Sequence, residues 1–195
     1  MVLNEKIYEL NRIVYHIDKD KINAISNILI KGIEQGGTIF FCGNGGSGAT
    51  ANMFDELILK MNQELEELGV AKKVKSFSLN ASTVHMSEII TNQSYEYIFC
   101  QPLLYSGTDK DMLIAISGSG NSQNVVEAIT TAKQLCMQTI GLTGMSGGKI
   151  SQLVDEGIIA DSQNMQQIEN VHSIILHMIL TKVKNQLIIS DNRKV

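Results

Sequence analysis

Met112-Leu113-Ile114-Ala115-Ile116 is apolar at five successive positions, flanked by Asp111 and Ser117. A strand with one wet face alternates apolar and polar side chains, whereas one buried on both faces has no need to. Such a strand belongs in a parallel sheet covered by helices on both sides. Further strand candidates lie at 38–42, 74–79, 139–142 and 157–160. Helical stretches are expected at about 48–65, 83–91, 95–102, 122–135, 147–154 and 165–188. Residues 4 to about 35 also read as helix, with a candidate break at Asp18–Asp20 and a stop at Gly36–Gly37. The alternation describes one α/β domain over residues 1–195, with residues 1–35 as a helical extension. The polar end DNRKV is expected to fray.

Composition removes several function classes. The 195 residues carry 16 basic and 20 acidic side chains, a net charge of −4, and the only arginines are Arg12 and Arg193. Neither a general nucleic-acid backbone binder nor an arginine-rich recognition helix fits that balance. No apolar run approaches the ~20 residues of a membrane span, and the polar start MVLNEKIYEL is unlike a signal peptide. Cys42, Cys100 and Cys136 form no C-x-x-C and are expected as reduced, packing thiols. A cytoplasmic protein, without nucleic-acid or membrane partners, is the expectation.

Three strands end in small or polar turns: Gly43-Asn44-Gly45-Gly46-Ser47-Gly48, Ser117-Gly118-Ser119-Gly120-Asn121-Ser122, and Gly141 to Gly148. Ligands of open α/β sheets bind beyond the C-terminal ends of the strands. There glycine permits close backbone approach, and the free N–H groups of the next helix favour an anion. The first turn matches G-x-G-x-x-G, yet the acidic residue of a dinucleotide site is missing after the second strand, where Leu79-Asn80-Ala81-Ser82 stands. Gly148-Lys149 is not a phosphate-loop end either, because Thr143 replaces its first glycine and Ile150 follows the lysine. Ser117, Ser119 and Ser122 suit one compact phosphate better than a pyrophosphate. A phosphorylated small molecule is therefore expected, and no nucleotide cofactor.

GNGGSGATA, AISGSGNSQNVVEAI, IGLTGMSGGKI and IENVHSIILHMI, in that order, resemble the sugar isomerase (SIS) family, most nearly its bacterial phosphoheptose isomerases, over nearly the whole chain. The resemblance implies a three-layer α/β/α sandwich of the flavodoxin-like or Rossmann-like kind with a five-stranded parallel sheet. It also implies a homotetramer with active sites between subunits, a zinc ion, and isomerisation of a sugar phosphate such as sedoheptulose 7-phosphate. By resemblance Ser117, Ser119 and Ser122 hold the phosphate, while Asn44, Gly45 and Ser47 of the first turn contact the sugar. His177 matches a catalytic base or metal ligand, His172 a histidine one turn earlier, and Glu169 a place usually held by glutamine.

The helix after the first turn departs from the family, which commonly shows a histidine and, four residues on, a carboxylate. Ungapped, those places fall on Met53 and Leu57; with one residue deleted they fall on Asn52 and Glu56. Asn52, Glu56 and Lys60 form a polar row at i, i+4, i+8, set apart from the apolar face of Met53, Phe54, Leu57, Ile58 and Met61. The shifted register, with Asn52 and Glu56 facing the cleft, is the expectation; a row facing only solvent is the alternative. Ser82 and Thr83 are candidate helix caps, Asn80 a substrate contact, His85 a ligand or structural histidine, and Glu88 a reserve base. His16 reads as a surface or interface residue.

Aldose–ketose isomerisation moves a proton between neighbouring carbons, and a carboxylate with an imidazole performs it near neutral pH. Glu56 and His177 are the expected acid/base pair, converging across a subunit boundary. Zinc ligands would come from His177, Glu169, Glu56 and His85. The competing reading is a non-catalytic member that binds a phosphosugar, or a replication initiator, as a regulator.

Overall fold

The computed structural model describes residues 2–192. The expected fraying of the C-terminal end falls, from Arg193 onward, outside the described residues. Helices α1 (Val2–Tyr15) and α2 (Lys19–Glu34) precede strand β1 (Thr38–Gly43). Then come α3 (Gly45–Glu67), β2 (Lys75–Ser78), α4 (Thr83–Asn92), α5 (Cys100–Ser106), β3 (Met112–Ser117), α6 (Gln123–Gln134), β4 (Gln138–Gly144), α7 (Ile150–Leu153), β5 (Glu156–Ala160) and α8 (Met165–Asn192). The break expected near Asp18 is a helix cap: its carboxylate accepts from the N–H groups of Asp20 and Lys21 at 2.9 and 3.2 Å. The stretch 95–102 divides into a 3₁₀ turn at Tyr95–Tyr97 and α5. The expected helix over 147–154 shrinks to one turn, because Gly147 and Gly148 adopt φ of +83° and +54°, which no right-handed helix continues through.

All five strands are parallel, in the order β2-β1-β3-β4-β5. Every residue of β3 is buried, as its unbroken apolar run requires. Alternate residues serve opposite faces. Phe41, Ile114, Leu142 and Ile158 pack under α1, α2, α3 and α8, while Phe40, Cys42, Leu113 and Ala115 pack under α4 to α7. Helix α2 buries Ile22, Ile25, Leu29 and Ile33, so it belongs to this layer and is more than an extension. The chain is thus a three-layer α/β/α sandwich.

Connections at the N-terminal edge of the sheet are closed by two aspartates. Asp111, 5 % exposed, accepts from the Thr38 N–H at 2.6 Å, the Thr108 N–H at 2.7 Å and the Thr108 hydroxyl at 2.8 Å. Asp155 accepts from the Thr139 N–H, the Thr139 hydroxyl and the Lys133 ammonium at 2.7–2.8 Å. At the opposite edge strand order reverses between β1 and β3, which opens a crevice where their two turns face each other.

Candidate functional site

The crevice is a cavity of about 240 Å³ lined by Asn44, Gly45, Gly46, Ser47, Ser117, Gly118, Ser119, Ser122, Met165 and Glu169. Six expected substrate-binding residues thus meet there: Asn44, Gly45 and Ser47 from the first turn, and Ser117, Ser119 and Ser122 from the second. Two helices begin at its wall, and neither uses its N-cap side chain as a cap. Asn44 precedes α3 and Ser122 precedes α6 without a side-chain hydrogen bond to the first turn. In α6 the Val125 N–H is taken by Asn124 Oδ1 and the Ser122 carbonyl, which leaves the Gln123 and Asn124 N–H groups at the helix start available to an anion. The Ser122 hydroxyl lies 3.1 Å from that of Ser117, and the Ser119 hydroxyl accepts from the Asn121 N–H at 3.2 Å.

Asn44 is engaged within the protein. Its amide donates to Asn124 Oδ1 and accepts from Asn124 Nδ2, both at 2.8 Å, and the Tyr95 hydroxyl donates to its oxygen at 2.9 Å. This reciprocal pair ties the turn after β1 to the start of α6. Asn124, 2 % exposed, escaped the sequence reading along with Tyr95 and Met165. A polar residue on the sheet-facing side of α6 was the available signal. Asn80 is likewise occupied: its amide donates to the Gly43 carbonyl at 2.7 Å and accepts from the Gly43 N–H at 3.2 Å. It fixes the end of β1 and does not line the cavity.

Helix α3 is held in its rotation by polar contacts to β2. The Ser78 hydroxyl donates to Asn52 Oδ1 at 2.6 Å. Asp55 accepts from the Ser76 hydroxyl at 2.5 Å and the Ser78 N–H at 3.0 Å. That flank of α3 therefore faces β2. Ala51, Phe54, Ile58, Met61 and Leu65 are buried. Glu56, two positions from Phe54 and so roughly 200° around the helix, is exposed on the outer side. Within one chain Asn52 and Glu56 do not line the cavity, and neither do Met53 and Leu57. Helical spacing puts Met53 and Leu57 on the stripe of Gly46, which faces α8.

Helix α8 runs alongside α3 in the same direction. Glu169 lies so close to Gly46 that a β-carbon there would collide with its carboxyl group. Farther on, the His177 ring packs edge-on against Phe54 with centroids 5.1 Å apart. Glu169 lines the cavity; His177, eight residues on and about 12 Å along the axis, also borders a groove of about 640 Å³ between α2 and α8. Expected zinc donors are thus dispersed: Glu56 and His85 are exposed on α3 and α4, Glu169 is in the cavity, and His177 is against Phe54. Among the described residues no three or more His, Cys, Asp or Glu are grouped to hold a metal ion. One chain does not assemble the expected zinc set.

The remaining candidates have local roles. Ser82 caps α4 by accepting from the His85 N–H at 3.3 Å. Glu88 accepts from the Asn92 amide at 2.8 Å, and His16 Nδ1 lies 2.8 Å from the Arg12 carbonyl. His172 is fully buried, with Nε2 2.9 Å from the Thr143 carbonyl and Nδ1 without a partner among the described residues. Burial pulls its pKa down to about 4, against the carbonyl, which favours the proton. Nε2 of the neutral ring therefore donates to Thr143. Cys42 and Cys100 are buried, which pushes both thiols up, whereas Cys136 is exposed and not a packing residue.

Comparison with known proteins gives the same lineage. The SIS domain model matches residues 4–144. Phosphoheptose isomerase 1 of Campylobacter jejuni is 33% identical over 175 residues, 89% of this chain and 89% of its own length. A Helicobacter pylori phosphoheptose isomerase is 35% identical over 153 residues, 78% of this chain and 77% of its own. Among solved structures, the phosphoheptose isomerase of Neisseria gonorrhoeae has a TM-score of 0.84 over 94% of this chain and 97% of that one, at 24% identity, a likeness of fold. From its switch-point turns to its matched relatives, this chain belongs to the SIS domain family, close to the bacterial phosphoheptose isomerases.

Proposed function

We propose that the chain is a sugar-phosphate isomerase that interconverts an aldose and a ketose phosphate of the sedoheptulose 7-phosphate class. One observation carries the reading: the paired Ser117 and Ser122 hydroxyls stand at an uncapped helix start inside the switch-point cavity. A phosphate seated there accepts from hydroxyls and first-turn N–H groups together, and its binding energy orients the reacting carbons. The sugar then extends along the α3–α8 seam, past Glu169 towards His177. Isomerisation needs a base at the carbon beside the carbonyl and a donor at the oxygen. Glu169 is the carboxylate a single chain brings to the cavity, so we assign it the proton transfer in place of Glu56. His177 serves the far end of the sugar. Self-association is part of the proposal: the groove bordered by His177 presents the partly exposed side chains of Ile174 and Met178, an apolar wall a second copy would cover. Light scattering tests this, and a 21.4 kDa particle at micromolar concentration would refute it.

A second reading, binding without catalysis, is favoured by Met53 and Leu57. They put apolar side chains on the α3 stripe opposite Glu169 and His177, where the family commonly has a histidine and a carboxylate. Proton exchange separates the two. Sedoheptulose 7-phosphate in heavy water, followed by NMR, is expected to take up deuterium at the carbon beside the carbonyl, and Glu169→Gln to stop the uptake. Tight binding with no uptake across a panel of aldose and ketose phosphates would replace the isomerase by a phosphosugar-binding regulator.

A further inference from the structure

The cavity's charge count carries one step more. Among its lining residues Glu169 alone carries an acidic or basic side chain; the others are asparagine, glycine, serine and methionine, with no lysine, arginine or histidine. Its carboxyl group is pressed against Gly46 in the first turn of α3, and no side chain among the described residues donates a hydrogen bond to it. The two helix starts at the cavity wall are therefore not equivalent. The positive end of α3 already has a built-in anion beside it, whereas α6 presents its uncapped N–H groups beside the three serine hydroxyls.

We propose that Glu169 is a specificity-determining residue that limits the cavity to ligands with one phosphate and an uncharged remainder. The phosphate sits at the serine side, over α6. Whatever adjoins it meets the carboxylate: a hydroxyl or carbonyl-hydrate group donates a hydrogen bond to Glu169, whereas a second phosphate or a carboxylate is repelled. A second anion held within this cavity of about 240 Å³ would lie inside a Debye length of ~10 Å from Glu169. Glutamine of the same length would keep the hydrogen bonding and remove the repulsion. With it, the α3 end would be free for a second anion, and pyrophosphate-like or bisphosphorylated ligands would be admitted.

The proposal rests on the phosphate reading of the serine turn, and a matched ligand pair tests the two separately. Glycerol 3-phosphate and 3-phosphoglycerate have the same three-carbon length and differ in a hydroxymethyl against a carboxylate. NMR titration of the whole protein is expected to show glycerol 3-phosphate binding about tenfold or more tighter than 3-phosphoglycerate. In E169Q that preference is expected to shrink by about tenfold, mainly through tighter binding of 3-phosphoglycerate. E169D, which keeps the charge, is expected to retain most of the preference. Equal affinity of the unaltered protein for both ligands would overturn the proposal whether or not any variant folds. So would an unchanged preference in a folded E169Q. Failure of the unaltered protein to bind either ligand would remove the phosphate site itself, and this proposal with it.

Discussion

The two edges of the sheet solve opposite problems with similar residues. At the N-terminal edge, Asp111 and Asp155 bind backbone N–H groups and threonine hydroxyls at hydrogen-bond distance, so the connections are satisfied internally. At the C-terminal edge, Asn44 and Ser122 stand where a capping side chain would act and do not cap. Satisfied donors hold a fold together; donors left free at a helix start hold a ligand. The binding capacity proposed for this chain is a local shortage of internal partners at one edge, set against full closure by Asp111 and Asp155 at the other.

The sharpest way to break this contrast is to open the closed edge. Asp111→Ala strands the Thr38 and Thr108 N–H groups, and about 4 kcal/mol of unfolding free energy is expected to disappear in urea titration. Phosphosugar affinity of the folded fraction should be unchanged; a matching loss of affinity would show that the two edges are not independent.

His172 sharpens the comparison from the other side, as a buried side chain bonded through Nε2 to the Thr143 backbone at the open edge. Its pKa falls from 6.5 to about 4 on folding because the ring is buried. The unfolded chain takes up this proton more readily, so the contribution is complete above pH 6.5 and is lost as pH falls towards 4. The loss is about 3 kcal/mol over that window. Denaturant melts at stepped pH measure it, and His172→Gln, with an amide that can still donate to Thr143, should flatten the slope.

At the cradle itself, the double substitution Ser117→Ala and Ser122→Ala is expected to weaken sugar-phosphate binding about a hundredfold by calorimetry, with stability changed by under about 1 kcal/mol. Comparable losses of both would make the serines structural and erase the distinction between the edges. The smallest effect concerns Cys136, which closes the lower end of α6 at φ 60°, with its N–H on the Lys133 carbonyl and the Met137 N–H on that of Ala132. Cys136→Gly is expected to stabilise the chain by about 0.5–1 kcal/mol in thermal unfolding, since glycine carries no β-carbon penalty there.

What the sequence made legible was local. The Met112–Ile116 run foretells a two-sided strand because burial on both faces leaves no polar position. The SGSGNS turn foretells a polar wall at the end of β3, and Ser117, Ser119 and Ser122 line the switch-point cavity there. The rotation of α3 was not legible. Met53, Phe54, Leu57, Ile58 and Met61 make an apolar face broad enough to suit either register. The rotation itself is set by distant groups: Ser76 and Ser78 holding Asp55 and Asn52, and α8 meeting Gly46 and Phe54. Asn124 was missed for a related reason, because its partner Asn44 lies 80 residues away in the chain.

That amide pair has a kinetic corollary. Two hydrogen bonds of 2.8 Å in opposite directions fix the spacing between the turn after β1 and the start of α6, and the Tyr95 hydroxyl braces the same oxygen. A mouth held open in this way needs no rearrangement before a ligand enters. Association should then run at similar speed for ligands of equal charge, and discrimination among them should appear in residence time. Cutting the brace with Asn124→Ala would move selection into the encounter itself, turning a rigid port into one that each ligand must first shape.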